Sequence, residues 1–329
     1  MNADVRALLA CPGCRGPLSA EWECEECGAR FDAPDGIPNL RLDGDVRTER
    51  VRQFYERAPF PGYPPRDSLS AFRARAERSR LPRLLDRAIA ADARIAEIGC
   101  GTGQMSLYLG RTDRVIVAAD LSRAALTLGA RAAARYGVQQ VQFVETDLQR
   151  PGLKRAAFDV VYSSGVLHHT PNPRRAFAGV AELARPGGIV IVGLYNALAR
   201  IPLRVRRAIA RLTRFRVVAG DPILRERRDE PERRAAWLRD QYQHPEEHCH
   251  TIGEIQRWFA ENGMEYLRSY PSTVFEDESD DLFARAVDDW ALERSMAQIG
   301  WIWSLGGEGG LFLAIGRRPF DEPTPQRMS

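Results

Sequence analysis

Beyond residue 94 the chain alternates between short apolar runs and longer stretches whose apolar residues return every three or four positions. These are the periods of a strand and of a helix. Ile95, Ala96 and Ile98 predict a first strand, and residues 114–120 (RVIVAAD), 141–147 (VQFVETD), 157–162 (AFDVVY) and 189–195 (IVIVGLY) predict four more. Met105, Leu107, Tyr108 and Leu109 read as the helix after the first strand. Ser122 caps a second helix carrying Ala124, Ala125, Leu126 and Leu128, and residues 173–184 make a third. Strand and helix in strict turn is the pattern of a doubly wound α/β sheet. Residues 264–270 and 310–316 read as two closing strands. Between them lie an acidic run (276–281), a helix, and Trp290, Trp301 and Trp303, expected in the core or at an oligomer contact such as a homodimer's.

The remaining stretches are less regular. An arginine-rich helix is predicted over 72–90, solvated on one face. Residues 53–65 (QFYERAPFPGYPP) set Phe54, Tyr55, Phe60 and Tyr63 among four prolines. Prolines stop a regular element, so these aromatics sit on a stiff loop, either a strap onto the core or a lid over a ligand. In the segment 197–240, Leu198, Ile201, Val205, Ile209 and Leu212 recur at helical spacing among Arg200, Arg204, Arg207, Arg211 and Arg214. The expectation is an α-helical insertion with its apolar face on the core and its arginines in water; a membrane surface or a nucleic acid is the rival use of such a helix. Thr251 with Glu254 makes a capping box for a helix reaching Asn262. The tail, 319–329, is disordered by composition.

Composition narrows the class. A chain of 329 residues with 44% hydrophobic content can bury a large domain and a small one. A net charge of +3 calls for no polyanionic partner, and the basic residues are nearly all arginine, Lys154 being the single lysine. No apolar run reaches the length of a membrane span, and the first residues lack a signal-peptide core, so a cytoplasmic location is expected. Four of the six cysteines form two C-x-x-C pairs, Cys11/Cys14 and Cys24/Cys27, separated by nine residues. In a reducing compartment this spacing favours a metal over disulfides, and four thiolates complete a tetrahedral zinc shell with no open position. The site is therefore structural, and a module this small needs the metal to fold.

The chemistry concentrates in residues 94–110, ARIAEIGCGTGQMSLYLG. Glycines 99, 101 and 103 let the backbone bend beside a ligand where a Cβ would collide. The third glycine falls one position earlier than a dinucleotide fingerprint requires. This E-x-G-x-G-x-G bend resembles motif I of the class I S-adenosylmethionine (SAM) methyltransferases. Four further phrases agree in order: Asp120 about twenty residues on, Asp147 at the third strand end, V-L-H-H after the fourth strand, and R-P-G-G before the fifth. The phrases resemble small-molecule enzymes of the quinone-biosynthesis type. The resemblance implies a Rossmann-like seven-stranded class I methyltransferase fold in which the last two strands pair antiparallel. It implies SAM contacts from Glu97, Gly99, Cys100, Gly101, Gly103, Gln104, Asp120, Leu121 and Ser163, with Asp147 and Leu148 at the adenine. Ser163, Ser164 and Gly165 lie at the carboxyl edge of the fourth strand, where open α/β sheets bind ligands. Asp120 is also placed by spacing alone to accept ribose hydroxyls. The cysteine-rich start, closing on D-G-I-P, resembles the small Trm112-like zinc-ribbon proteins, in whose relatives the module is a partner surface or a substrate-facing lid. The domains then run 1–42 (zinc ribbon), 43–93 (linker and aromatic lid) and 94–318 (methyltransferase, with insertions near 197–240 and 271–309).

SAM is already a good electrophile, so the protein has to align a nucleophile and exclude water. A base helps when the acceptor is a phenol, enol or acidic carbon, and His168 or His169 is the candidate, the other being structural. Tyr55, Phe60, Tyr63, His244 and His248 are candidates for the acceptor side. Three readings follow: a methyltransferase for a small organic acceptor, an RNA methyltransferase using the arginine-rich stretch on phosphates, and a non-catalytic SAM-binding scaffold working through the ribbon. The N-P-P-Y-type phrase of many base-amino methylating enzymes is absent, which favours the first.

Overall fold

The computed structural model describes residues 3–42, 44, 46–56, 59, 62–64, 66–215, 218, 220–243, 246–277, 279–287, 290–306 and 309–320. Phe60, His244 and the tail from 321 therefore lie outside the described residues. Eight strands form one sheet, in the order β1-β4-β3-β2-β5-β6-β8-β7. They are β1 (Asn39–Leu40), β2 (Arg94–Ile98), β3 (Val115–Asp120), β4 (Val141–Thr146), β5 (Phe158–Ser164), β6 (Ala184–Tyr195), β7 (Glu265–Tyr270) and β8 (Leu311–Arg317). All neighbours run parallel except β8, which is antiparallel to both β6 and β7. The seven expected strands are present. The eighth, β1, is the N-L after D-G-I-P, paired with Glu145 and Thr146 at the sheet's edge.

The helices are α1 (Ala3–Arg6), α2 (Val46–Glu56), α3 (Leu69–Ala76), α4 (Arg80–Ala88), α5 (Gln104–Leu109), α6 (Arg123–Tyr136), α7 (Pro173–Ala181), α8 (Ile201–Leu212), α9 (Pro222–Glu226), α10 (Pro231–Gln243), α11 (Ile252–Glu261) and α12 (Ala291–Ser304). The central strands are apolar throughout because helices cover both faces. Their alternate residues sort onto two cores. Ala96, Ile98, Val117, Val161 and Val190 meet Phe177 of α7, Phe259 of α11 and Trp301 of α12. Ile95, Ile116, Val160 and Ile191 meet Phe72, Leu85, Leu107 and Leu126 of α3 to α6. Ser122 caps α6 through Ala125, and Thr251 caps α11 through Glu254, as their positions predict.

Four expectations change or sharpen. The helix over 72–90 breaks into α3 and α4, because Pro82 can sit only in a first turn, where its missing N–H leaves no gap. The R-P-G-G phrase expected ahead of the fifth strand lies inside β6 as a bulge, where the pairing jumps from Phe158↔Ala184 to Val160↔Ile189. The three tryptophans part company: Trp301 is core, while Trp290 and Trp303 are more than three-quarters exposed.

The fourth is α8, which seats itself by charge. Its aliphatic stripe, Ile201, Val205, Ile209 and Leu212, faces solvent, with Leu212 86% exposed. Inward go Leu203, Ala210 and, at the helix start, Arg200, which is fully buried. Arg200 lies 3.6 Å over the Tyr195 ring. Its guanidinium donates to Glu247 at 2.6 Å and to the Gly309 carbonyl at 2.7 Å. Arg207 reaches the same Glu247 oxygen at 2.6 Å. The segment that carries Glu247 is pinned in turn, His250 N–H donating to Tyr195 O at 2.9 Å.

The cysteine-rich start does not hang free. Leu8, Leu9, Leu18 and Cys24 join the first of the two cores. Ala10 N–H donates to Gly152 O at 3.0 Å, Lys154 N–H to Leu8 O at 2.8 Å, and Arg15 pairs with Glu182 at 3.1 Å.

The Glu247 cluster generates a stability prediction. Burial raises this carboxyl, but Arg200 and Arg207 overcome that and hold it at about 2. A depressed folded value means stability present above the unfolded 4.5 and lost as pH falls toward 2, about 3 kcal/mol in all. Glu247→Ala, which strands Arg200 in the interior, is expected to cost roughly 3–5 kcal/mol in denaturant unfolding at pH 7. A cost below about 1 kcal/mol, the range of an exposed pair, would show that the cluster is not buried.

Candidate active site

The strand order reverses between β2 and β5, and ligands of such sheets lodge at the carboxyl ends beside that point. The bend after β2 sits there. Gly99 has φ +72°, and a Cβ on it would lie 2.3 Å from Val166 of the loop after β5. Gly103 has φ +76°, and its Cβ would lie 2.7 Å from the Phe143 ring. Any side chain at either position would push the bend off its neighbours. The bend is knitted to β3: Gly99 N–H donates to Ala119 O, and Gly101 N–H to Asp120 Oδ2, both at 2.7 Å. The other Asp120 oxygen takes Ser122 N–H at 2.8 Å.

A cavity of about 540 Å³ opens at this point, within the range of small-ligand sites. Glu97, Gly99, Cys100, Gly101 and Gln104 line it from the bend. Asp120 and Leu121 follow from β3, and Asp147 and Leu148 from β4. Tyr55 and His169 face it as well. Glu97 accepts Ser106 N–H at 2.8 Å and the Ser106 hydroxyl. Burial pushes Glu97 up to about 7 against those two donors. Burial also raises Asp120, opposed by its backbone amides, and keeps the Cys100 thiol protonated and inert.

Five of the candidate residues fall outside the cavity wall. Gly103 serves the packing on Phe143. Ser163 is fully buried on the far side of β5, and the lining hydroxyl is Ser164, one residue on. Strand side chains alternate, so a one-residue shift reverses the face. Tyr63 donates to Thr102 O at 2.8 Å and packs on Phe72 and Tyr136, which makes it a strap. From this region it is α2 that meets the cavity, with Thr48, Val51, Arg52 and Tyr55 on its wall and Glu56 accepting Arg123 N–H at 2.6 Å. His168 is buried against Tyr195, ring centroids 3.9 Å apart. His248 stands beside Glu246 at 3.1 Å, and its backbone N–H donates to His168 O at 2.8 Å.

His169 is the histidine on the cavity. Its Nδ1 lies 2.8 Å from the Glu246 carbonyl, which can only accept, so Nδ1 carries the hydrogen and Nε2 is the ring's acceptor. Burial lowers its pKa to about 4, against the raising pull of Glu246 and Glu247, so the ring is neutral at physiological pH. Beyond it the wall is made by Tyr195, Arg227, Trp237, Gln241 and Leu311. Two of these, Arg227 and Trp237, come from the insertion and Gln241 directly follows it, and no local pattern pointed to them. Ser164 and Gly165, read at the strand edge together with Ser163, do line the cavity.

Outside the cavity wall, Cys11, Cys14, Cys24 and Cys27 bring all four sulfurs within 4.8 Å of one another. The Cys11–Cys27 separation is 3.7 Å and Cys14–Cys24 3.3 Å, near the ~3.8 Å edge of a tetrahedron with 2.3 Å zinc–sulfur bonds. Among the described residues it is the one group of three or more metal-ligand side chains so gathered.

Residues 96–192 match the methyltransferase domain family, a span that holds the bend, Asp120, Asp147 and His169. By that match this stretch is similar to a methyltransferase domain. An uncharacterized protein of Synechococcus sp. is 30% identical over 261 residues, 68% of this chain and 60% of that protein. The ubiquinone biosynthesis O-methyltransferase of Nitrosococcus oceani is 29% identical over 118 residues, 36% of this chain and 50% of that enzyme. The chain thus spans only half to three-fifths of the length of these relatives. Among solved structures, PKMT2 from Rickettsia typhi shares the fold with a TM-score of 0.51 at 13% identity, over 75% of this chain and 53% of that one.

The site geometry makes His169 a neutral Nδ1–H tautomer. Nitrogen-detected NMR is expected to show an unprotonated Nε2 down to about pH 5; an imidazolium already formed at pH 6.5 would contradict the burial that sets this state.

Proposed function

We propose that this chain transfers a methyl group from SAM to a small organic acceptor in a reducing compartment, the cytoplasm. The observation that carries the reading is the gathering, in one cavity, of the bend glycines with Asp120 and Asp147 at successive strand ends. Asp120 would hold the ribose hydroxyls, Asp147 the adenine amino group with Leu148 beside the ring, and Glu97 the end nearest the sulfonium. SAM supplies an activated methyl group. The chain's part is to exclude water beneath α2, to align the acceptor, and to receive its proton. His169 is placed for the proton-accepting role by geometry: its Nε2 is the ring's acceptor on the cavity and takes a hydrogen bond from an acceptor hydroxyl. Burial, which lowers its pKa, keeps the ring neutral but makes it a weak base until the acceptor is bound. His168 supports it by packing on Tyr195. The four thiolates fit a structural zinc, whose role is to hold the first 42 residues against the sheet.

The RNA reading keeps one observation in its favour: Arg204, Arg211 and Arg214 are exposed along and just beyond α8. Methyl-labelled SAM incubated with host extract, then split into small-molecule, RNA and protein fractions, separates the readings. Label is expected among small molecules; label in RNA would promote the rival, and none anywhere the scaffold. Asp120→Ala is expected to weaken SAM binding by about 10- to 100-fold without unfolding the chain, the worth of hydrogen bonds to a charged group. His169→Ala is expected to keep SAM affinity and lose turnover; unchanged turnover would dismiss its proton-accepting role. Metal analysis is expected to give one zinc per chain, lost with folding of the N-terminal region in Cys24→Ser. A zinc-free folded wild type would refute the ribbon.

A further inference from the structure

The cavity wall is divided by charge. Its carboxylates, Glu97, Asp120 and Asp147, all stand on the half built by β2, β3 and β4. The opposite half, walled by His169, Tyr195, Trp237, Gln241 and Leu311, includes no carboxylate among the described residues but does include Arg227. That arginine differs from the other cation on the wall. Arg52 is gripped by both oxygens of Glu49, at 2.9 and 2.6 Å. Arg227 makes no ion pair among the described residues; its guanidinium lies 5.3 Å over the Trp237 ring.

The placement of Arg227 is built. Its backbone closes α9, donating to Ile223 O at 2.9 Å. At the other end of that helix, the buried Asp221 takes Leu224 N–H at 2.9 Å, Tyr242 O–H at 2.6 Å and Trp237 Nε1–H at 3.3 Å. One carboxylate thus fixes both the short helix that ends in Arg227 and the indole beneath the guanidinium. Behind the same wall, Arg200 and Arg207 share the single Glu247, which leaves a surplus of one positive charge. His169, neutral, adds none.

A half-buried cation stacked on an indole, with no carboxylate partner among the described residues and more positive charge behind it, is complementary to an anion brought in by the ligand. We infer that the methyl acceptor carries a carboxylate or phosphate that seats on Arg227, with a planar or apolar body against Trp237 and Leu311. This rests on the methyltransferase reading and specifies its substrate class. It also accounts for the sign pattern: the cationic sulfonium belongs to the acidic half, and the anionic acceptor to the basic half.

The test uses the full chain saturated with S-adenosylhomocysteine and two matched probe pairs, 2-naphthoate against 2-naphthamide and 1-naphthyl phosphate against 1-naphthol, read by ligand-observed NMR titration. At least one anion is expected to bind about tenfold or more tighter than its neutral partner, the range of a charge-assisted contact. That preference is expected to fall to about twofold or less in Arg227→Gln and to be kept at least in part in Arg227→Lys, with S-adenosylhomocysteine affinity unchanged in both. The anion preferred identifies carboxylate or phosphate. Equal binding of charged and neutral members to the wild type, binding of none of the four, or a preference that survives Arg227→Gln would overturn the inference while leaving the methyltransferase reading intact. Failure of S-adenosylhomocysteine itself to bind the wild type would overturn that reading, and the inference with it.

Discussion

The carboxylate of Asp120 holds the ligand side of this molecule in register. One oxygen takes the amide of Gly101 and the other the amide of Ser122, so the bend after β2 and the start of α6 share a single anchor. Around that anchor the tolerances are small. Gly99 lies where a side chain would meet Val166 of the loop after β5, and Gly103 where one would meet Phe143 of β4. The bend is therefore fixed against β3, β4 and the loop after β5, by the Asp120 carboxylate on its amides and by the Phe143 and Val166 side chains against its glycines. A cavity at the point where the sheet reverses is the consequence of that geometry, and its acidic half is assembled from the ends of β2, β3 and β4.

The second organising feature is electrostatic and lies on the other side. Burying Arg200 has a high cost unless its charge is matched and its donors are filled. Glu247, Gly309 and the Tyr195 ring do both. The helical insertion is fastened to the sheet through this cluster, and through it the wall carrying Trp237 and Gln241 is brought to the cavity. The neutral state of His169 follows from the same closure, because the ring is buried with its Nδ1 hydrogen committed to a carbonyl.

Much of this was legible from local pattern. The strands announced themselves because a sheet covered on both faces needs near-continuous apolar runs, and the bend did because only glycine suits positive φ beside close neighbours. Asp120 and Asp147 were readable because a strand end is a fixed address in an open sheet. The misses share a cause. The α8 stripe of Ile201, Val205, Ile209 and Leu212 has the spacing of a core face, but which face turns inward was decided by a carboxylate some forty residues away. Arg227 and Trp237 reach the cavity through Asp221, again without any signature at their own positions. Of the three residues read at the end of β5, Ser163 turns into the core because strand side chains alternate, while Ser164 and Gly165 line the cavity. The two-residue β1 and the docking of the cysteine-rich start depend on edges exposed only once the sheet exists.

The most direct measurement is a crystal structure of the chain grown with S-adenosylhomocysteine. The account predicts the nucleoside against the Gly99–Gly103 bend, its ribose hydroxyls on Asp120 and its adenine at Asp147 and Leu148. A nicotinamide or flavin in that place, or the nucleoside bound elsewhere with this cavity vacant, would contradict it.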